Sequence, residues 1–211
     1  MNRAVLFDVD GVIVHSLFHA DPRRRRRWDE HLLEDMGVEP KAFAALFDNR
    51  FVPTVTGKVS LVETLDAFLP TIGYTGSTLD FVAYWLARDV HVNQQLFSAI
   101  RALRASGGVR LFLATNQEHL RAHYLWSELN LGYVFDDMYY AARIGAAKPD
   151  PRFFEWIAAR LGPQDEAPLF FDDNPSVVEV ACDFGWEGIV FSEASDFLTQ
   201  SWVAAKLKSA A

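Results

Sequence analysis

VRLFLATN (residues 109–116) followed by QEHLRAHYLWSELN (117–130) sets the pattern of this chain. Val109 to Ala114 is a short apolar run with the length of a buried strand, and Gln117 to Leu129 reads as a helix. Upstream, Ala4 to Phe7 is another short apolar run ending in acid. Downstream the alternation continues. Met138 to Ala142 reads as a strand and Pro151 to Leu161 as a helix. Leu169 to Phe171 is followed by a helix over Pro175 to Phe184, and Gly188 to Phe191 by a helix over Ala194 to Leu207. Strands alternating with helices imply a parallel sheet covered on both faces. Asp150-Pro151, Asn174-Pro175 and Asp21-Pro22 each set a capping side chain before a proline at the first helical position.

The stretch from His15 to Val90 breaks this alternation. Trp28, Leu32, Leu33 and Met36 are spaced to share one helix face, as are Phe43, Leu46 and Phe47. Leu61, Leu65 and Phe68 repeat the pattern, and Gly73 to Gly76 make a loop. A helical insertion after the first strand is expected. Arg23 to Arg27 fall in the first turns of a helix expected from Asp21, where the helix dipole disfavours cations. Five consecutive residues circle a helix, so a solvated face is the plainer reading and anion steering by one or two of them the sharper one.

With 211 residues, half of them hydrophobic, the chain can bury one core of ordinary size together with a smaller insertion. A net charge of −8 argues against a nucleic-acid-binding surface. The single cysteine, Cys182, excludes an intramolecular disulfide, fits a reducing compartment and is expected as a small buried core residue. No signal peptide is read at the start, and no apolar run approaches the roughly 20 residues that span a bilayer. A soluble, cytoplasmic protein without a membrane partner is expected; the oligomeric state is open.

In open α/β sheets ligands bind at the carboxyl ends of the strands, and there this chain sets its polar residues. The first strand runs into Asp8-Val9-Asp10-Gly11, the second into Thr115-Asn116, and the fourth into Asp172-Asp173-Asn174. Lys148 follows the third strand, in Gly145-Ala146-Ala147-Lys148-Pro149. A carboxylate attacking a phosphoryl group needs a cation and hydrogen-bond donors to offset the charge. Gly11 suits a tight turn. An all-oxygen set such as Asp172 and Asp173 suits Mg²⁺ rather than zinc. Plainer readings stand beside these: Thr115-x-x-Glu118 as a capping box, Lys148 as a loop lysine, and the acidic pair as dipole-matched residues near a helix start.

Taken together and in this order, the four motifs resemble the haloacid dehalogenase superfamily, in the branch whose helical cap follows the first strand. The resemblance covers essentially the whole chain. It implies an α/β fold with a Rossmann-like, doubly wound parallel-sheet core (residues 1–14 and 91–211) and an inserted α-helical cap (15–90). It implies Asp8 as nucleophile, forming an aspartyl phosphate, and Asp10 as general acid and base. Thr115 and Asn116 would hold phosphate, and Lys148 would neutralise it. Mg²⁺ would be bound by Asp8, the Asp10 carbonyl and Asp173, with Asp172 binding directly or through water. The dehalogenases themselves lack a carboxylate at the position of Asp10, so phosphate chemistry is expected.

The expected activity is hydrolysis of a small phosphorylated metabolite, a sugar phosphate being one candidate. A phosphomutase and a non-catalytic module of the same fold are the alternatives. His15 stands where relatives often carry an acid. It and His19 are either candidates to face the site or ordinary polar residues. In the cap, Thr56-Gly57-Lys58 offers a turn and a cation, with Lys58 either a substrate contact or part of an exposed turn.

Overall fold

The central strands are buried almost without a break, as a parallel sheet covered on both faces requires. A computed structural model of the chain describes residues 3–15, 17, 22–48 and 51–209. Strands β1 (Arg3–Phe7), β2 (Val109–Thr115), β3 (Asp137–Tyr140), β4 (Leu169–Asp172) and β5 (Glu187–Val190) form one sheet in the order β3-β2-β1-β4-β5. Every neighbouring pair is parallel.

Helices α1 (Leu32–Met36), α2 (Pro40–Ala44), α3 (Val52–Val55), α4 (Leu61–Phe68) and α5 (Thr78–Arg88) precede α6 (Gln94–Ala105) and β2. Then α7 (His119–Ser127) follows β2, and α8 (Ala141–Ile144) and α9 (Pro151–Leu161) follow β3. Helix α10 (Pro175–Asp183) follows β4, and α11 (Ala194–Thr199) and α12 (Ser201–Ser209) follow β5.

Val5, Phe7, Leu113 and Phe171 pack on one side of the sheet with Ile100, Leu125 and Phe197. Their strand neighbours Leu6, Ala114 and Phe170 pack on the other with Phe153, Phe154 and Ala181. The chain moves outward from β1 to β3 and returns to β4, so strand order reverses between β1 and β4. That reversal opens a crevice at their carboxyl ends, where Asp8 and Asp172 stand.

The helices between β1 and α6 bury a separate cluster that includes Trp28, Leu32, Phe43, Leu65, Phe81 and Trp85, with Tyr124 of α7 packed against it. The two crossings between this insertion and the core lie side by side: Val14 bridges Val92 in antiparallel fashion. The His15 N–H donates to the His91 carbonyl (2.8 Å) and the Asn93 N–H to the Ile13 carbonyl (2.8 Å).

Several local expectations are corrected. The third strand stops at Tyr140, because the alanine pair turns helical as α8 and Gly145 closes it in the left-handed region (φ 80°). The last helix divides at Gln200, whose extended backbone (ψ 128°) breaks the run while its side chain accepts from the Val203 N–H (2.9 Å). Cys182 is exposed: it follows Val178 by one turn and, like it, faces Gly188, but β5 is the edge strand and leaves this end of α10 open. Leu33 is likewise exposed, since α1 turns Leu32 inward.

Pro22–Arg24 forms only a short 3-10 turn, so the arginines do not line a helix. Arg27 pairs with Asp29 (2.9 Å), and Arg26 donates to the carbonyls of Arg23 and Arg25. Asp21 and His19 lie outside the described residues.

Candidate active site

The Asp8 N–H still donates to the Phe171 carbonyl (2.9 Å), so sheet pairing fixes the backbone that carries this carboxylate. Its Oδ1 accepts the Val9 N–H (2.7 Å) and lies 2.9 Å from Lys148 Nζ. Lys148 is buried, and the same ammonium meets Asp172 Oδ2 at 2.6 Å. A buried lysine between two carboxylates is held charged: burial lowers its pKa, but Asp8 and Asp172 outweigh that and raise it. Asp8 itself is pushed up to about 7 by burial, with Lys148 opposing and Asp172 and Asp10 adding to the rise.

Asn116 fixes the backbone of Lys148 from both sides. Its Oδ1 accepts the Lys148 N–H (2.8 Å) and its Nδ2 donates to the Lys148 carbonyl (3.0 Å). At the end of β4, Asp172 is buried, and its Oδ1 accepts the Asn174 N–H (2.9 Å). Asp8, Asp172 and Asp173 each offer an oxygen within 4.8 Å of the others, a donor set that fits a hard divalent cation. Gly11 makes room for it: its φ is +83°, and a Cβ there would stand 2.1 Å from Asp173 Oδ2.

Asp10 faces a cleft between the sheet and the insertion. Both its oxygens are gripped by Arg121 of α7, Oδ2 from Nη1 (2.7 Å) and Oδ1 from Nη2 (2.9 Å). Gln117 Nε2 adds a third bond to Oδ2 (2.6 Å). Burial pushes the pKa of Asp10 up, but Arg121 and then Gln117 outweigh it and hold it below the usual carboxylate range. Arg121 is itself buried and joins Asp10 to the insertion through the side chain (3.1 Å) and carbonyl (3.2 Å) of Asp89, just after α5. Asp89 is pushed up to about 6 by burial, with Arg121 opposing and Asp10 adding to the rise.

The family profile of the haloacid dehalogenase-like hydrolases matches residues 2–184. The chain belongs to that family. Among curated relatives of this hydrolase is the phosphorylated carbohydrates phosphatase of Thermotoga maritima, 23% identical over 189 residues; the match takes in 88% of this chain and 83% of that protein. Another is acyl-CoA dehydrogenase family member 10 of mouse, 28% identical over 189 residues, of which the chain spans only 17%. A haloacid dehalogenase family enzyme of Bacteroides thetaiotaomicron, solved as a magnesium complex, superimposes with a TM-score of 0.72 at 18% identity. The superposition covers 97% of this chain and 98% of that one, a likeness of fold.

The structure brings Asp8, Asp172, Asp173 and Lys148 of this hydrolase together, with Asn116 holding Lys148. Thr115 is buried at the end of β2 and accepts from Gln117 Nε2 (3.3 Å). It caps no helix: α7 begins at His119, and Glu118 accepts its first free amides, from Leu120 and Arg121. Lys58 is exposed and is not among the side chains lining the cleft; the adjoining Gly57 is the residue that seats against Ala142 and His119. His15 lines a separate depression with Gln94, Gln95 and Glu193.

Gln117, Arg121 and Asp89 had no site role from the sequence alone. Gln117 and Arg121 carried a usable signal, two polar residues four apart immediately after a motif strand.

Proposed function

We propose that this hydrolase is a Mg²⁺-dependent phosphomonoesterase acting on a small phosphorylated metabolite. The observation that carries the proposal is the position of Lys148 Nζ, 2.9 Å from Asp8 and 2.6 Å from Asp172, beside the three-carboxylate group. The name of the Thermotoga relative supports the same chemistry and brings sugar phosphates into consideration.

Asp8 attacks phosphorus and the bond to the leaving oxygen breaks; Asp10, ionised at rest beside Arg121, passes to that oxygen a proton it has taken up from solvent on substrate binding. Asp10 then takes a proton from water, whose oxygen attacks the aspartyl phosphate and frees inorganic phosphate and Asp8. Lys148 opposes the rise that burial imposes on the Asp8 pKa and offsets phosphoryl charge, and the Thr115 hydroxyl and Asn116 backbone amide hold the phosphoryl oxygens. Asp8, Asp173, the Asp10 carbonyl and Asp172 would hold Mg²⁺, which supplies electrophilic stabilisation of the phosphoryl oxygens when bound. Residues 15–90 serve as a cap over the core formed by 1–14 and 91–211, closing to exclude water.

The test is phosphate release from a panel of esters with and without Mg²⁺, alongside Asp8→Asn. Metal-dependent release that vanishes in the variant is expected. Turnover by folded Asp8→Asn protein, or an isomerised ester in place of free phosphate, would overturn it.

A further inference from the structure

We infer that the ester's leaving group is apolar, an aryl or arylalkyl alcohol rather than a sugar. The inference rests on the phosphomonoesterase reading and adds to it the class of substrate.

The cleft that Asp10 faces has a volume of about 240 Å³, and its apolar walls come from the insertion. Trp28, Phe47, Phe51, Val55, Leu61 and Trp85 form them. The two indoles stack at 5.5 Å and 28°, and Phe47 sets its edge against both Phe51 (5.2 Å) and Trp85 (5.7 Å). Such a surface gains free energy by covering another apolar group, and aromatic rings add their own packing geometry.

The polar side chains of the same cleft are already engaged, save for Arg121 Nε, which is buried without a partner among the described residues and out of a ligand's reach. Arg121 serves Asp10, Asp89 and Gln117. Gln117 uses its amide on Asp10 and its carbonyl on Arg121. Asn116 holds the backbone of Lys148, and Glu118 caps α7. The Trp85 indole N–H points to Asp89 Oδ2 (3.3 Å). A sugar entering here would bring several hydroxyls out of water against aromatic faces, each losing hydrogen bonds that these side chains are not placed to return. A benzyl or indolyl group loses none. Asp10 lines this cleft, so the departing oxygen and the group attached to it belong on this side of the phosphorus.

The test compares esters that leave as primary alcohols, so that intrinsic reactivity is matched. With Mg²⁺, kcat/KM for benzyl phosphate should exceed that for glucose 6-phosphate and glycerol phosphate by at least about tenfold, the scale expected from burying one ring. Phe51→Ser and, separately, Val55→Asn should cut that ratio several-fold. In Asp8→Asn protein with Mg²⁺, benzylphosphonate should quench tryptophan fluorescence at concentrations at least tenfold below those methylphosphonate needs. Sugar phosphates turning over as fast as benzyl phosphate, or equal binding of the two phosphonates, would overturn the inference and leave the phosphatase standing. Absence of release from every ester would overturn both.

Discussion

The core and the insertion are both built around buried aromatic clusters, yet they meet the cleft in opposite ways. The core presents charge: Asp10 and Arg121 line it, with Asp8, Asp172, Asp173 and Lys148 gathered at the neighbouring strand ends. The insertion presents Trp28, Phe47, Phe51 and Trp85. Parallel strands end together, so a sheet gathers polar side chains at one edge without exposing its core. Short helices have no common edge, and the face they turn to the cleft is an extension of their own core. On the proposed reading, bond-breaking belongs to the core and recognition to the insertion, with Arg121 touching both.

The division is tested most severely by Asp8→Asn. It should lower kcat by at least about 10⁴-fold while circular dichroism stays native-like, since the amide keeps the volume of the carboxylate it replaces. Breaking the junction comes next. Arg121→Gln leaves Asp10 and Asp89 without their shared cation, and should cost about 3–5 kcal/mol in urea unfolding with a fall in kcat of about a hundredfold.

Asp173→Ala should raise the Mg²⁺ concentration for half activity by about tenfold or more. Asp172→Ala should raise it less, because Asp172 already spends its oxygens on Lys148 and the Asn174 amide. Equal shifts would show that the metal has been assigned to the wrong carboxylate.

A smaller effect should appear at Asp89. Its pKa is raised from 3.8 to about 6, so the folded protein keeps a proton that the unfolded chain has released. The stability this group contributes is complete below pH 4 and is lost as pH rises through 6. Asp89→Asn removes that dependence, so its melting temperature relative to the parent should climb by about 5 °C between pH 4.5 and 7. A flat difference across that range would show that Arg121 outweighs burial. At the far end, Lys58→Ala should leave KM within about twofold, as an exposed side chain off the cleft should. A large rise in KM would return Lys58 to the substrate.

The sheet, its order of elements and the strand-end carboxylates were legible because each signal is local. An apolar run sets a strand, and the residue after it must lie at the sheet's edge. Arg121 was not legible, because its partners Asp10 and Asp89 lie far away in sequence and meet it only when α7 packs against both regions. Gln200 was missed because glutamine seldom caps a helix, and here the cap works together with a bond from its amide to Glu187 (2.7 Å). Leu33 and Cys182 misled because composition says that such residues are usually buried, whereas helix register exposes Leu33 and the sheet edge beside β5 exposes Cys182.

The two crossings, paired at Val14 and Val92, mean that the chain leaves the core and re-enters it at one place. The core would close the same short gap whatever segment filled it, because the bonds of His15, His91, Ile13 and Asn93 are made by backbone and ask nothing of side chains. On the proposed division, such a junction suits exchange of the segment as a cassette. A graft needs only two strand ends a hydrogen bond apart and an acceptor for Arg121. New specificities could then be tried in evolution or in the laboratory without disturbing the carboxylates beneath.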